Sequence, residues 1–199
     1  MSGSCVYQVL AGLRESIELQ QQLLQAPWFE STVTAICDAC VAAYQRGNKL
    51  LIAGNGGSAA DAQHFAGELV SRFYFDRAPL SAIALTTDTS ILTAIGNDYG
   101  YRNVFSRQVQ ANGRPGDVFF AISTSGNSEN IVHAIQTAKA MGIIVVGLTG
   151  GTGGKMKDLC DFCLCVPSPS TPRIQESHLL IEHIICAAIE QHIFGSPPQ

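Results

Sequence analysis

Two segments of this sequence concentrate small polar residues of the kind that hold phosphate. Two others carry side chains that ligate metals or move protons. Gly54-Asn55-Gly56-Gly57-Ser58 follows an apolar run directly and opens a helical pattern. Glycines let the backbone approach a ligand closely, and a helix start offers free N–H groups with a partial positive charge. Ser123-Thr124-Ser125-Gly126-Asn127-Ser128 occupies the same kind of strand-to-helix junction and offers four hydroxyls within six residues. That density exceeds what turn chemistry requires and suits the oxygens of a phosphate monoester.

His64 and Glu68 are an i,i+4 pair in the helix after the first loop, so they face the same way. Gln175 and His183, eight residues apart in the last helical pattern, point to roughly one side of it. Two imidazoles, a carboxylate and an amide oxygen form a plausible zinc set, provided that the two helices meet. His178 and Glu182 are a competing i,i+4 pair on another side of the same helix, and His133 and His192 stand alone. The spacing by itself leaves these alternatives open. The first loop, as Gly54-x-Gly56-x-x-Ala59, also matches a dinucleotide-binding fingerprint, for which Asp88 is the only roughly placed acid. A nicotinamide-dependent dehydrogenase is therefore a rival reading, but it leaves the hydroxyl loop and the zinc-like set without a role.

These residues need a scaffold, and the hydrophobic pattern supplies one. Residues 4–26 and 29–47 read as helices broken near Pro27; 58–74, 88–96, 102–112, 128–141 and 173–194 read as further helices, with a turn over 96–100. Apolar runs at 49–53, 81–85, 117–122, 143–148 and 162–166 read as buried parallel strands. The alternation predicts an α/β fold: one domain over 1–199, with N-terminal helices at 4–47 and an α/β core at 49–194. A five-stranded parallel sheet is flanked by helices in a flavodoxin-like α/β/α sandwich, with sites at the carboxyl ends of its strands. Gly195–Gln199 reads as a frayed tail.

Composition narrows the partners. Hydrophobic residues make up 46% and charged residues 14% of the chain, with a mean hydropathy of +0.17. So sparse a charged surface predicts a homo-oligomer. The net charge of −4 gives no electrostatic footprint for nucleic acid. No apolar run reaches the length of a membrane span, and the N-terminal residues lack the pattern of a secretory leader, so a cytoplasmic protein is expected. Seven cysteines fit reduced thiols better than a disulfide framework. Cys37-x-x-Cys40 and Cys160-x-x-Cys163 superficially resemble a split zinc site, but their apolar settings predict buried structural thiols.

The run Ala53–Glu68, together with Leu92–Gly100, Ser123–Ser128, Arg173–His178 and His183, resembles the sugar-isomerase (SIS) domain family, and most closely its phosphoheptose isomerases. The resemblance extends over nearly the whole chain. It implies an aldose–ketose isomerase that converts sedoheptulose 7-phosphate to D-glycero-D-manno-heptose 7-phosphate through an enediol, for lipopolysaccharide core or related glycans. It implies one Zn2+ per subunit on His64, Glu68, Gln175 and His183, and catalysis by Glu68 and His183. It implies substrate contacts at Asn55, Gly56, Gly57, Glu68, Asn97, Asp98, Ser123, Thr124, Ser125, Ser128 and Gln175, with Arg72 a weaker candidate for phosphate or a subunit contact. It further implies a homotetramer. One branch of the family is a non-catalytic adaptor for the replication initiator DnaA; Glu68 and His183 favour the enzyme pattern here.

Overall fold

Leu50–Gly54, Val118–Ser123 and Ile144–Gly150 are runs of branched, aromatic and small residues that bury nearly every side chain, as central parallel strands do. In the computed structural model, which describes residues 3–195 and side chains from Val9 onward, they form the middle of a five-stranded parallel sheet. The strands are β1 (Leu50–Gly54), β2 (Ala82–Ala84), β3 (Val118–Ser123), β4 (Ile144–Gly150) and β5 (Phe162–Val166), in the order β2-β1-β3-β4-β5. This is the flavodoxin-like order. The helices are α1 (Gly3–Gln25), α2 (Phe29–Gln45), α3 (Gly57–Val70), α4 (Thr89–Tyr99), α5 (Val104–Asn112), α6 (Glu129–Ala140) and α7 (Thr171–Phe194).

Alternation along each strand fills two cores. Leu50, Ile52, Phe120 and Val146 pack with α2, α3 and α7 on one face, while Leu51, Phe119, Val145 and the α5–α6 residues Val109, Ile131 and Ile135 fill the other. The chain winds toward one edge from β1 and toward the other from β3, so the carboxyl ends of β1 and β3 form the switch point where α/β folds bind ligands. The pairings Gly54↔Ile122 and Ser123↔Thr149 set the glycine loop and the hydroxyl loop side by side there.

Two helix ends move by three or four residues from the sequence reading, and one residue takes a different role. Residues 96–99 are the last turn of α4 rather than a turn of their own, because the break falls at Gly100, whose φ of 81° ends the helix. Helix α3 stops at Val70 rather than 74, because a tertiary contact captures the segment that follows. Asp88 caps α4, accepting a hydrogen bond from Ile91 N at 2.9 Å, so its carboxylate serves the helix start rather than a ribose. The tail at 196–199 lies outside the described residues. No helix among the described residues is long and apolar enough to cross a membrane.

Candidate active site

The glycine loop is held from α6. Asn55 and Asn130 exchange side-chain amide hydrogen bonds, each 2.9 Å, and the Tyr101 hydroxyl donates to Asn55 Oδ1 at 3.3 Å. Asn130 is buried, and nothing in its local sequence marks it as a partner for a residue 75 positions away. Gly56 caps α3 at a φ of 57°, a conformation that favours glycine. Gly57 gives way to Gln175: a Cβ there would stand 2.3 Å from the Gln175 amide nitrogen. The α7 amide therefore lies against the first turn of α3. We expect Gly57→Ala to fold normally, since only a side-chain tip must move, but to displace Gln175. Losing one hydrogen bond to a charged ligand should raise KM for a sugar phosphate by about 10–100-fold. An unchanged KM would remove Gln175 from the ligand's path.

In the second loop Ser123 and Ser128 share a hydroxyl hydrogen bond of 2.9 Å. Ser128 makes no side-chain cap, so its hydroxyl remains turned toward the loop. Gly126, at a φ of 65°, lies so close to the Gly153 carbonyl that a Cβ would overlap it. Asn127 clamps the turn, donating to the Ser125 carbonyl at 2.9 Å and accepting from Lys155 N at 3.2 Å. Thr124 and Ser125 open into a cleft of about 280 Å³ with Gly150, Gly151 and Thr152.

About 10 Å further along α3, and 12 Å along α7, lies a second group of residues. His64 Nε2 and His183 Nε2 are 2.9 Å apart, and His64 Nε2 is 3.3 Å from Glu68 Oε1. The three ligand atoms all fall within 4.8 Å of one another. Two ring nitrogens and a carboxylate oxygen this close together are a set of residues that could hold a cation. Phe73 stacks beside His183, with ring centroids 5.5 Å apart. The cluster opens into a groove lined by Phe73, Tyr74, Leu180 and Ile184.

The structure also separates residues that the spacing had grouped. Gln175 belongs to the glycine-loop end, two turns of α7 from His183. Asn97 and Asp98 are exposed on the last turn of α4 and hydrogen-bond each other at 2.8 Å. Arg72 is exposed just beyond α3. The competing pair points into the core: His178 and Glu182 are fully buried, with His178 Nε2 donating to the Thr149 carbonyl at 3.1 Å. Burial drives the His178 imidazole down to about 4, so it is neutral near pH 7, and burial, with the nearby Asp61 charge, pushes the Glu182 carboxyl well up.

Sequence reasoning missed the clamp behind the cluster. Glu190 on α7 accepts from the backbone N–H groups of Phe73 and Tyr74, at 2.9 and 2.7 Å, and from Arg77 Nε at 2.9 Å. Arg77 in turn donates to the carbonyls of Glu68 and Leu69, at 2.9 and 2.7 Å. Burial raises the Glu190 carboxyl, but the Tyr74 and Phe73 N–H groups and the Arg77 charge outweigh it and hold it below its ordinary value.

Five parallel strands between helices, with a glycine loop and a hydroxyl loop at the switch point and a His–Glu–His cluster on α3 and α7, place the chain in the SIS class. The SIS domain profile matches residues 15–150. The chain is 60% identical over 182 residues to a phosphoheptose isomerase of Aneurinibacillus thermoaerophilus, covering 92% of each chain. It is 62% identical over 165 residues to one of Burkholderia pseudomallei, covering 83% of this chain and 84% of the relative. Among solved structures, a phosphoheptose isomerase from Neisseria gonorrhoeae superposes with a TM-score of 0.89 at 43% identity, over 94% of this chain and 100% of that one. One from Francisella tularensis gives 0.90 at 38% identity, over 94% and 99%. The chain belongs to the phosphoheptose isomerase family of SIS-domain proteins.

Proposed function

We propose that this protein interconverts sedoheptulose 7-phosphate and D-glycero-D-manno-heptose 7-phosphate in the cytoplasm, supplying heptose for lipopolysaccharide core or related glycans. The observation that carries this reading is the convergence of His64, Glu68 and His183 in a chain about 60% identical to phosphoheptose isomerases. No observation favours the DnaA adaptor, and the commitment of Asp88 to a helix cap weakens the dinucleotide reading.

The hydroxyls of Ser123, Thr124, Ser125 and Ser128, with Asn55, Gly56 and Gly57 at the start of α3, hold the phosphate and the adjacent sugar oxygens. Asn97 and Asp98 contact hydroxyls further along the sugar. Glu68 takes the proton from the carbon beside the carbonyl, and His183 returns a proton to the neighbouring carbon, so that the enediol collapses to the isomeric carbonyl. His64, Glu68 and His183, with Gln175 as the fourth donor, would hold a zinc ion, which would supply Lewis-acid polarisation of the carbonyl and hydroxyl oxygens. A carboxylate has two oxygens, so Glu68 can lend one to a cation and keep the other for the proton. His183 Nε2 serves one purpose at a time.

Within one chain, Gln175 and the phosphate loops stand two helical turns from the cluster. A homotetramer resolves this separation: a second copy brings its Gln175 and loops to the His64–Glu68–His183 cluster. The apolar rim at Tyr74, Leu180 and Ile184, and exposed Val9, Leu10, Leu13 and Ile17 on α1, are the faces that such packing would cover.

The test follows aldose formation from sedoheptulose 7-phosphate by NMR. Activity should vanish on chelation and return with Zn2+. Turnover that survives complete metal removal would reduce the cluster to acid–base groups, and no turnover in the zinc-loaded protein would overturn the assignment.

A further inference from the structure

One backbone N–H fixes which way two carboxamides point at the glycine loop. A carboxamide's oxygen and nitrogen have nearly the same shape, so the two 2.9 Å bonds between Asn55 and Asn130 would survive if both groups were turned over. The N–H of Ile131 removes that freedom. It belongs to the first turn of α6, where backbone N–H groups have no partner within the helix, and it can only donate. It lies 3.0 Å from Asn130 Oδ1, and both residues are buried. Turning Asn130 over would set an NH2 group against this N–H.

One orientation then forces the next. Asn130 Oδ1 also faces Asn55, which must therefore offer Nδ2 there, and Asn130 Nδ2 must meet Asn55 Oδ1. Asn55 Oδ1 also faces the Tyr101 hydroxyl at 3.3 Å, so that hydroxyl donates. Both lone pairs of the Asn55 oxygen are thereby taken. One hydrogen of Asn55 Nδ2 is bound by Asn130, and the other has no partner among the described residues.

We infer that Asn130 is a positioning residue of the isomerase site. By locking the Asn55 carboxamide, with the Tyr101 hydroxyl as a second pin, it makes that side chain a donor only, matched to a substrate oxygen that carries no proton. This inference rests on the reading above in which Asn55 holds the phosphate or an adjacent sugar oxygen. An unlocked carboxamide would present its oxygen as readily as its nitrogen, and a phosphate oxygen is repelled by a carbonyl oxygen. Ser128 precedes Asn130 by two residues, so the start of α6 also sets the spacing between the glycine loop and the hydroxyl loop. Asn130 acts through Asn55 and need not touch the substrate.

The experiment is a double-mutant cycle on the zinc-loaded full chain, read as KM, kcat and calorimetric affinity for sedoheptulose 7-phosphate. Asn130→Ala should raise KM and weaken binding by about 10–100-fold, as loss of a donor to a charged oxygen does, with kcat nearly unchanged. Asn55→Ala should do the same, and combining the two should add almost nothing. Tyr101→Phe removes one hydroxyl from an exposed side chain and tests the lock without opening the core. It should weaken binding by about two- to tenfold in the wild type and not at all in Asn55→Ala. Additive losses of affinity, or wild-type KM in Asn130→Ala, would overturn the inference. Nitrogen-15 NMR of the wild type needs no variant: the Asn55 and Asn130 side-chain amides should exchange slowly with solvent, and fast exchange at both would refute the lock. Binding without turnover would defeat the isomerase reading alone, since the affinity cycle still measures the lock, whereas absence of binding would overturn both.

Discussion

Glu68→Gln should lower kcat by about 10²–10⁴-fold, the range for removing a positioned general base, while sedoheptulose 7-phosphate still binds within a few-fold of the wild type. The amide keeps the shape of the carboxylate but cannot take a proton from carbon. The residues proposed to hold phosphate lie at the strand ends, about 16 Å of helix from position 68 in the same chain, so the substitution leaves their local fold untouched. The split between turnover and binding is the informative part. NMR rates paired with calorimetric binding measure both, and a variant with near-normal kcat would remove Glu68 from the chemistry. Loss of binding in parallel with turnover would instead assign it to ground-state recognition. Exchange with solvent deuterium at C1 of the ketose and C2 of the aldose offers an independent reading, and should be lost with kcat.

The second large effect concerns stability. Arg77 and Glu190 form a 2.9 Å ion pair whose side chains are 2% and 1% exposed. Glu190→Gln leaves a buried guanidinium without its counter-charge, which typically costs 3–5 kcal/mol. For a chain of this size that corresponds to a drop in Tm of roughly 6–20 °C, readable by calorimetry. Replacing both partners with apolar residues should cost less than either single change, because no charge is left stranded. A Glu190→Gln variant that melts within 2–3 °C of the wild type would show that the pair contributes little.

The same pair predicts a pH dependence. The folded Glu190 carboxyl lies below its ordinary value of 4.5, so its contribution is complete above about pH 4.5 and is lost as pH falls through the lower folded value. Wild-type stability should therefore decline on acidification below that point, and less steeply in Glu190→Gln. Because Glu190 fixes the Phe73–Tyr74 bend beside His183, and Arg77 holds the Glu68 carbonyl, both are expected to act on the reaction only by positioning. Partial unclamping should change kcat and KM together while leaving the solvent-exchange signature intact.

Much of this molecule is legible in its sequence because the relevant physics is local. Buried parallel strands declare themselves as short apolar runs, and the two loops declare themselves by glycine and hydroxyl density at the ends of those runs. The i,i+4 rule alone puts His64 and Glu68 on one face. The two displaced helix ends have different causes: α4 runs on to Gly100, a glycine stop that its sequence offers, whereas α3 ends early because a glutamate over a hundred residues away captures the chain after it.

Which of the two paired histidines of α7 meets α3 depends on packing. His178 and His183 are equally plausible by spacing, and the packing of α3 beside α7 turns His178 into the core and His183 toward His64, 119 residues away in sequence. It likewise sends Gln175 to Gly57, recruits Asn130 to hold Asn55, and builds the Arg77–Glu190 clamp from residues that carry no motif. The reason is physical: a helix's periodicity fixes which of its own side chains share a face, whereas strand order and side-chain volume fix which face it shows to its neighbour. Local pattern is enough to specify the sheet, its loops and the chemistry on offer, and the packing of α3 on α7 selects which groups meet.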